Sequence, residues 1–268
     1  MTLRLVVADS PAEQDAARAV EAQVFQQAFG NTPEVMAQEY GPFAGRSRYI
    51  AVLDDANGTA LGAARLILPD DAGSLKTLDD VAGPPWQLSV DDVLGASGLA
   101  GRLVWDVASL AVDRRYRSGA AGAEVVLALC HGIYRFTLSN GVDGLVTVLD
   151  DRVLRLLRLM GAPCAPMPGA ASRAYMGSPA STPCVWRVDA MATGVLDRRP
   201  DLAPAMVEGR FSSIACDPAD LLPGRGVPGA DRSAPARPAA VRVPLRDTSG
   251  WRRPGLRRQD ETVGHPAS

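Results

Sequence analysis

The sequence predicts an α/β domain with a mixed central sheet flanked by helices. Two observations carry that expectation. Apolar residues recur at helical spacing in some stretches and in short strand-like runs in others. Their order is helices with an antiparallel hairpin, then strand–helix–strand–helix, then a closing pair of strands. With 268 residues, 47% hydrophobic and 22% charged, the chain has the composition of an ordinary globular protein.

Leu3 to Val7 reads as a short strand. Ser10, Pro11 and Glu13 then supply an N-cap, a first-turn proline and a capping-box acid. Behind them Ala17, Val20, Val24 and Ala28 repeat at helical spacing up to Gly30, a natural stop. Thr32 and Pro33 restart a shorter helix towards Tyr40. Ser47 to Asp54 is strand-like, Asn57-Gly58 is a two-residue turn signal, and Ala60 to Leu68 returns as a second strand. Between Asp70 and Ala100 the chain is irregular, with helical pieces around Leu75 to Val81 and Val90 to Leu94 broken by Gly83, Pro84 and Pro85. Arg102 to Asp113 is the central strand. Val125, Val126, Leu129, Ile133 and Phe136 mark the buried stripe of the next helix, which stops at Gly141. Gly144 to Leu149 is an apolar strand, Asp150 caps a helix over Arg152 to Met160, and Ser172 to Met176 and Pro183 to Val188 close the sheet.

This gives a domain over 1–190 and a weakly helical extension over 191–222. A Pro/Arg-rich segment over 223–268 is expected to be a disordered tail. That segment carries about +5, against roughly -7 for the rest, within a net charge of -2. The overall charge offers no reason to expect nucleic-acid or membrane binding. No run of about 18 apolar residues is present, and the start lacks the basic region and apolar core of a signal peptide. Cys130, Cys164, Cys184 and Cys216 form no CxxC pair, and only His131 and His265 accompany them. Free thiols in a cytoplasmic protein are expected, with no metal site.

The stretch with the most chemistry is VWDVASLAVDRRYRSGAAG. A glycine-bearing loop feeding a helix start leaves backbone N–H groups unpaired where the helix dipole is positive, a setting that suits phosphate. Arg117 can add a charge-assisted contact, and Gly119 and Gly122 let the backbone come close. A purely structural loop explains the same residues.

These residues, together with the apolar strand LVTVLDD, resemble the GNAT acyltransferase superfamily over roughly Leu3 to Val188. Its phosphate loop, R/QxxGxG/A, falls on RSGAAG with Arg117 first, Ala120 in place of the middle glycine and Gly122 last. RLILP at Arg65 to Pro69, WDVASLAV at Trp105 to Val112 and LVTVLDDRVLRLLRLMG look like segments of acyl-homoserine-lactone synthases. Arg65 falls on that branch's arginine and Asp106 on its glutamate, while Ser109 stands where it has an arginine. The related long-chain N-acyl amino acid synthases fit better, including the stretch Gly177 to Cys184.

The resemblance implies the GNAT (acyl-CoA N-acyltransferase) fold and an N-acyltransferase using an acyl carrier protein or acyl-CoA thioester as co-substrate. The acceptor would be an amino acid or similar small amine, and no permanently bound cofactor is expected. Asp106 is the candidate general base or ammonium-holding acid, with pairing to Arg65 for structure as the alternative. The amides of Ala108 to Leu110 would polarise the thioester carbonyl. Ala108, Leu110 and Val112, with Arg117, Ser118, Gly119 and Gly122, form the expected donor site. No tyrosine stands at Leu157, where many GNAT enzymes protonate the leaving thiolate. Arg152, Arg155 and Arg158 lie along one helix face, where an acyl carrier protein could dock or water could simply solvate them. Tyr175, Arg173 and Trp86 are further residues that could meet the acceptor. A lactone-type signal synthase, an acetyl-CoA-dependent N-acetyltransferase and a non-catalytic GNAT-like binding module remain alternatives.

Overall fold

The computed structural model describes residues 2–117 and 119–222. The tail expected over 223–268 lies outside the described residues, as does Ser118 of the expected donor loop.

In chain order the elements are β1 (Leu3–Val7), α1 (Pro11–Phe29), α2 (Pro33–Tyr40), β2 (Ser47–Asp54), β3 (Thr59–Ile67), α3 (Lys76–Ala82) and α4 (Val90–Ala96). There follow β4 (Val104–Val112), α5 (Gly119–Ser139), β5 (Gly144–Asp150), α6 (Asp151–Leu159), β6 (Ala165–Pro166), β7 (Arg173–Tyr175) and β8 (Ser178–Arg187). The extension adds α7 (Ala190–Arg198), α8 (Ala203–Met206) and β9 (Ile214–Ala215). The strands form one mixed sheet in the order β6-β8-β5-β4-β3-β2-β1-β9, with β7 paired to the outer part of β8.

The local signals that start α1 act as physics requires. Ser10 accepts the Glu13 N–H, and Glu13 accepts the N–H groups of Asp9 and Ser10 at 3.0 Å. Gly30 ends the helix in the left-handed region. Period-two alternation then assigns the sheet's faces. Val6, Ala8, Tyr49 and Ala51 pack under α1, whereas Leu5, Val7, Ile50 and Val52 pack under α5. α3 and α4 cover Val104, Val146 and Val185.

Residues 191–222 share this core. Met191, Val195, Ala203, Met206, Ile214 and Leu221 belong to the same buried cluster as α5. β9 pairs in parallel with β1, and Glu124 of α5 accepts the Ser212 and Ser213 N–H groups and hydroxyls. β8 begins at Ser178, earlier than the Pro183 expected from sequence. The hydroxyls of Ser178 and Thr182 donate to Asp150 and Asp151, so a Ser/Pro stretch that reads as loop is held as strand.

No helix among the described residues is long and apolar enough to cross a membrane.

Candidate active site

The site begins where β4 changes partners. β4 pairs in parallel with β5 over three positions, Val104–Gly144, Trp105–Leu145 and Asp106–Val146. Beyond Asp106 the strands part. On the other side, Leu66 opposes Val107 and Arg65 opposes Ser109, which leaves Ala108 as the extra residue of a bulge. The parting leaves Val107's carbonyl without a ladder partner on β5, and the Thr147 hydroxyl takes its place at 2.7 Å. The Ala108 carbonyl accepts the Tyr40 hydroxyl at 3.1 Å.

Two spaces adjoin the parted strands. A cleft of about 570 Å³, including its open mouth, lies on the α1–α2 face. It is lined by Phe25, Phe29, Tyr40, Ala108, Ser109, Leu110, Thr147, Asp150, Tyr175 and Met176, among others. On the α5 face a small apolar chamber, with free space of about 30 Å³, lies among Ile133, Leu145, Leu157, Trp186 and Met191. Both spaces are bounded by Val107, Leu110 and Leu149.

Arg65 and Asp106 are both buried and both stand behind the cleft rather than in its lining. They do not pair with each other. Arg65 grips Glu21 of α1 through Nε at 3.0 Å and Nη2 at 2.5 Å, and Nη1 reaches the Ser47 hydroxyl at 3.4 Å. Ser109 also donates to Glu21. The guanidinium stacks 4.4 Å from the Tyr40 ring centre and 5.0 Å from that of Tyr49. Burial alone would lower the Arg65 pKa, but the Glu21 bond and charge outweigh it and hold it above the ordinary value. Asp106 receives the Thr77 N–H at 2.6 Å and the Thr77 hydroxyl at 2.9 Å, tying the start of α3 to β4. Complete burial pushes its carboxyl up to about 7, with the Thr77 bonds opposing.

Lys76, the chain's only lysine, sits beside this pair. Its ammonium donates to Asp80 at 2.7 Å and Tyr175 at 2.9 Å, and lies 3.0 Å from Glu39. The Tyr175 hydroxyl donates to Asp80, and burial together with that carboxylate holds its pKa well above the ordinary value. Tyr175 reaches the cleft through a tight hairpin whose Met176 and Gly177 both have positive φ, 44° and 77°. Asp150 sits at the cleft's other edge. Arg152 and Ser178 bind its carboxylate and hold its pKa down at about 2, against the opposing effect of burial.

Among solved structures the chain resembles FeeM, an N-acyl amino acid synthase from uncultured soil microbes, at 16% identity and a TM-score of 0.54. The match covers 72% of this chain and 94% of that one. The fold is of the GNAT type. A putative N-acetyltransferase from Lactobacillus plantarum is 14% identical, with a TM-score of 0.47 over 70% of this chain and 99% of that one. The CoA-dependent acyl-homoserine lactone synthase BjaI is 15% identical, with 0.44 over 80% and 93%. No protein-family model and no curated protein sequence matches the chain.

In this GNAT-type frame the expected donor residues fall as follows. Ala108 and Leu110 line the cleft at the bulge, while Val112 ends β4 and gives its carbonyl to Arg117 Nε at 2.7 Å. Gly119 opens α5 at φ 75°, a conformation that disfavours any side chain with a Cβ. At Gly122 a Cβ would lie 2.3 Å from the Tyr116 carbonyl oxygen, so only glycine lets the helix start pack onto the loop. The helix arginines differ from one another: Arg152 pairs with Asp150, Arg158 donates to the Cys164 carbonyl, and Arg155 is exposed. Arg173 is exposed, and Trp86 donates to the Ala171 carbonyl and packs 5.4 Å from the Tyr175 ring. Neither lines the cleft.

Sequence reasoning missed Glu21, Tyr40 and the Lys76 cluster. Glu21 did carry a signal, because it falls four residues after Ala17 on the buried stripe of α1. An acid there needs a buried cation.

Proposed function

We propose that the chain is an N-acyltransferase, moving an acyl group from a CoA or carrier-protein thioester to the amine of a small molecule. The observation that carries this reading is the parting of β4 and β5 between a polar-edged cleft and an apolar chamber. A thioester held at the gap would direct its acyl chain at the apolar chamber, whose side chains would repack to take it, and face its carbonyl towards the amides of Ala108 to Leu110. The loop around Arg117, Gly119 and Gly122 would hold the donor's phosphates.

The amine nitrogen attacks the thioester carbon, the C–N bond forms and the C–S bond breaks. Of the two protons the acceptor ammonium loses, one ends on sulfur and one goes to solvent. Asp106 is assigned the part of proton acceptor at one remove from the cleft, because a carboxyl near pKa 7 suits that task at neutral pH. Arg65 is a positioning residue. Fixed by Glu21, it holds Tyr40 under the bulge carbonyl. Arg155, exposed on α6, is the arginine best placed to meet an acidic carrier protein.

The test is purified protein with acyl-CoA donors of graded length and a panel of amines, and mass spectrometry of lipid extracts from overexpressing cells. New N-acyl products, absent with Asp106→Ala, are expected. Turnover with acetyl-CoA but no longer donor would remove the chamber from the reading. Inactivity with every thioester by a folded protein would overturn it.

A further inference from the structure

The cleft's lining carries information about the acceptor. Phe25, Phe29, Tyr40 and Tyr175 all contribute to it, four of the chain's fourteen aromatic residues. Ring faces attract cations and repel anions. Asp150 is the one carboxylate in the lining, and among the described residues no lining side chain carries a positive charge.

The nearby cations are already committed. Arg65 and Lys76 are buried, and their polar hydrogens are directed at Glu21 and Ser47, and at Asp80, Tyr175 and Glu39. Arg152 is 68% exposed and turns both Nε and Nη2 onto Asp150. Arg65 and Lys76 stack behind Tyr40 and Tyr175 with their hydrogens already bonded. An anionic group entering this cleft would lose water, meet aromatic side chains and a carboxylate, and find no uncommitted cation in the lining. An ammonium would meet the reverse. It would compete for Asp150 with Arg152, whose own guanidinium is exposed while the carboxylate it grips is 7% exposed.

We infer that the acceptor is a primary amine with an aromatic or aliphatic body and no carboxylate, rather than an amino acid. The inference rests on reading the cleft as the acceptor side of an N-acyltransferase, and it narrows the acceptor class within that reading.

Matched pairs test it: phenethylamine against phenylalanine, and isopentylamine against leucine, with decanoyl-CoA and the full chain. The amine of each pair is expected to have at least tenfold higher kcat/KM. Equal rates, or preference for the amino acid, would overturn the inference and leave the acyltransferase reading standing. A second measurement needs no turnover. NMR titration of the same pairs in the presence of CoA should show at least tenfold tighter binding of the amines, weakened by Tyr175→Ala. Amine-selective binding without turnover of any thioester would keep the specificity and remove the acyltransferase reading. Equal binding, or no binding of the amines, would overturn the specificity.

Discussion

Replacing Glu21 by alanine tests the buried scaffold behind the cleft. The Glu21 and Arg65 side chains are 3% and 8% exposed, and the guanidinium spends two nitrogens on this one carboxylate. Without Glu21, Arg65 becomes a buried cation with only the Ser47 hydroxyl and two ring faces, and Ser109 loses its acceptor. Breaking a buried pair in this way costs about 3–5 kcal/mol. For a domain of this size that corresponds to a melting temperature lower by about 6–20 °C. The assay is urea denaturation with calorimetry on wild type, Glu21→Ala, Arg65→Met and the double variant Glu21→Leu/Arg65→Met. The double variant should recover most of the loss, because replacing both partners by apolar groups of similar volume is often close to neutral. A loss under about 1 kcal/mol for Glu21→Ala would refute the argument, since a weakly held guanidinium would be free to serve a substrate.

Four further outcomes are expected. Asp106 has its carboxyl raised from 3.8 to about 7 by burial, so the folded state holds a proton that the unfolded state has lost between those values. Its contribution is therefore most favourable below pH 4 and is lost as pH rises towards 7, with a slope of up to about 1.4 kcal/mol per pH unit. Denaturation of Asp106→Asn across pH 4–8 should show a flatter profile over that window, and an unchanged profile would mean the carboxyl titrates normally. Thr147→Val leaves the Val107 carbonyl unsatisfied and should cost about 1–3 kcal/mol in urea melts. Gly122→Ala forces the loop away from Tyr116, and on the proposed function should raise the donor's KM more than the acceptor's, measured by steady-state kinetics. Met191→Trp fills part of the chamber and should shift donor preference to shorter chains in the acyl-CoA series.

Much of the fold was legible in the sequence because its signals are local. Ser10, Pro11, Glu13 and Gly30 bound α1 where the capping pattern puts them, and Asn57-Gly58 sits in the turn between β2 and β3. The missed parts depend on distant partners. The first residues of β8 are strand because Asp150 and Asp151 of the preceding helix start satisfy their hydroxyls. β9 is two residues long and exists through its pairing with β1. The site divides in the same way. The loop glycines and the residues Arg65 and Asp106 can be picked out from short segments, but the bulge at Ala108 and their partners cannot. Arg65 finds Glu21 across 44 positions, Asp106 finds Thr77 across 29, and Lys76 finds Tyr175 across 99. No local pattern encodes those separations, although a lone lysine and an acid on an apolar helix stripe both marked places where charge had to be answered.

The placement of that lysine bears on chemical self-protection. Thioesters acylate unprotonated amines without any enzyme, and surface lysines are the usual victims. Here the single ε-amine is buried; desolvation favours its neutral form, but Asp80 outweighs this and keeps it an ammonium with a raised pKa. A protein that handles activated acyl groups would thus expose no lysine to them. Acylation of Lys76 by an amine-reactive reagent would then report local opening of the packing among α2, α3 and the β7–β8 hairpin.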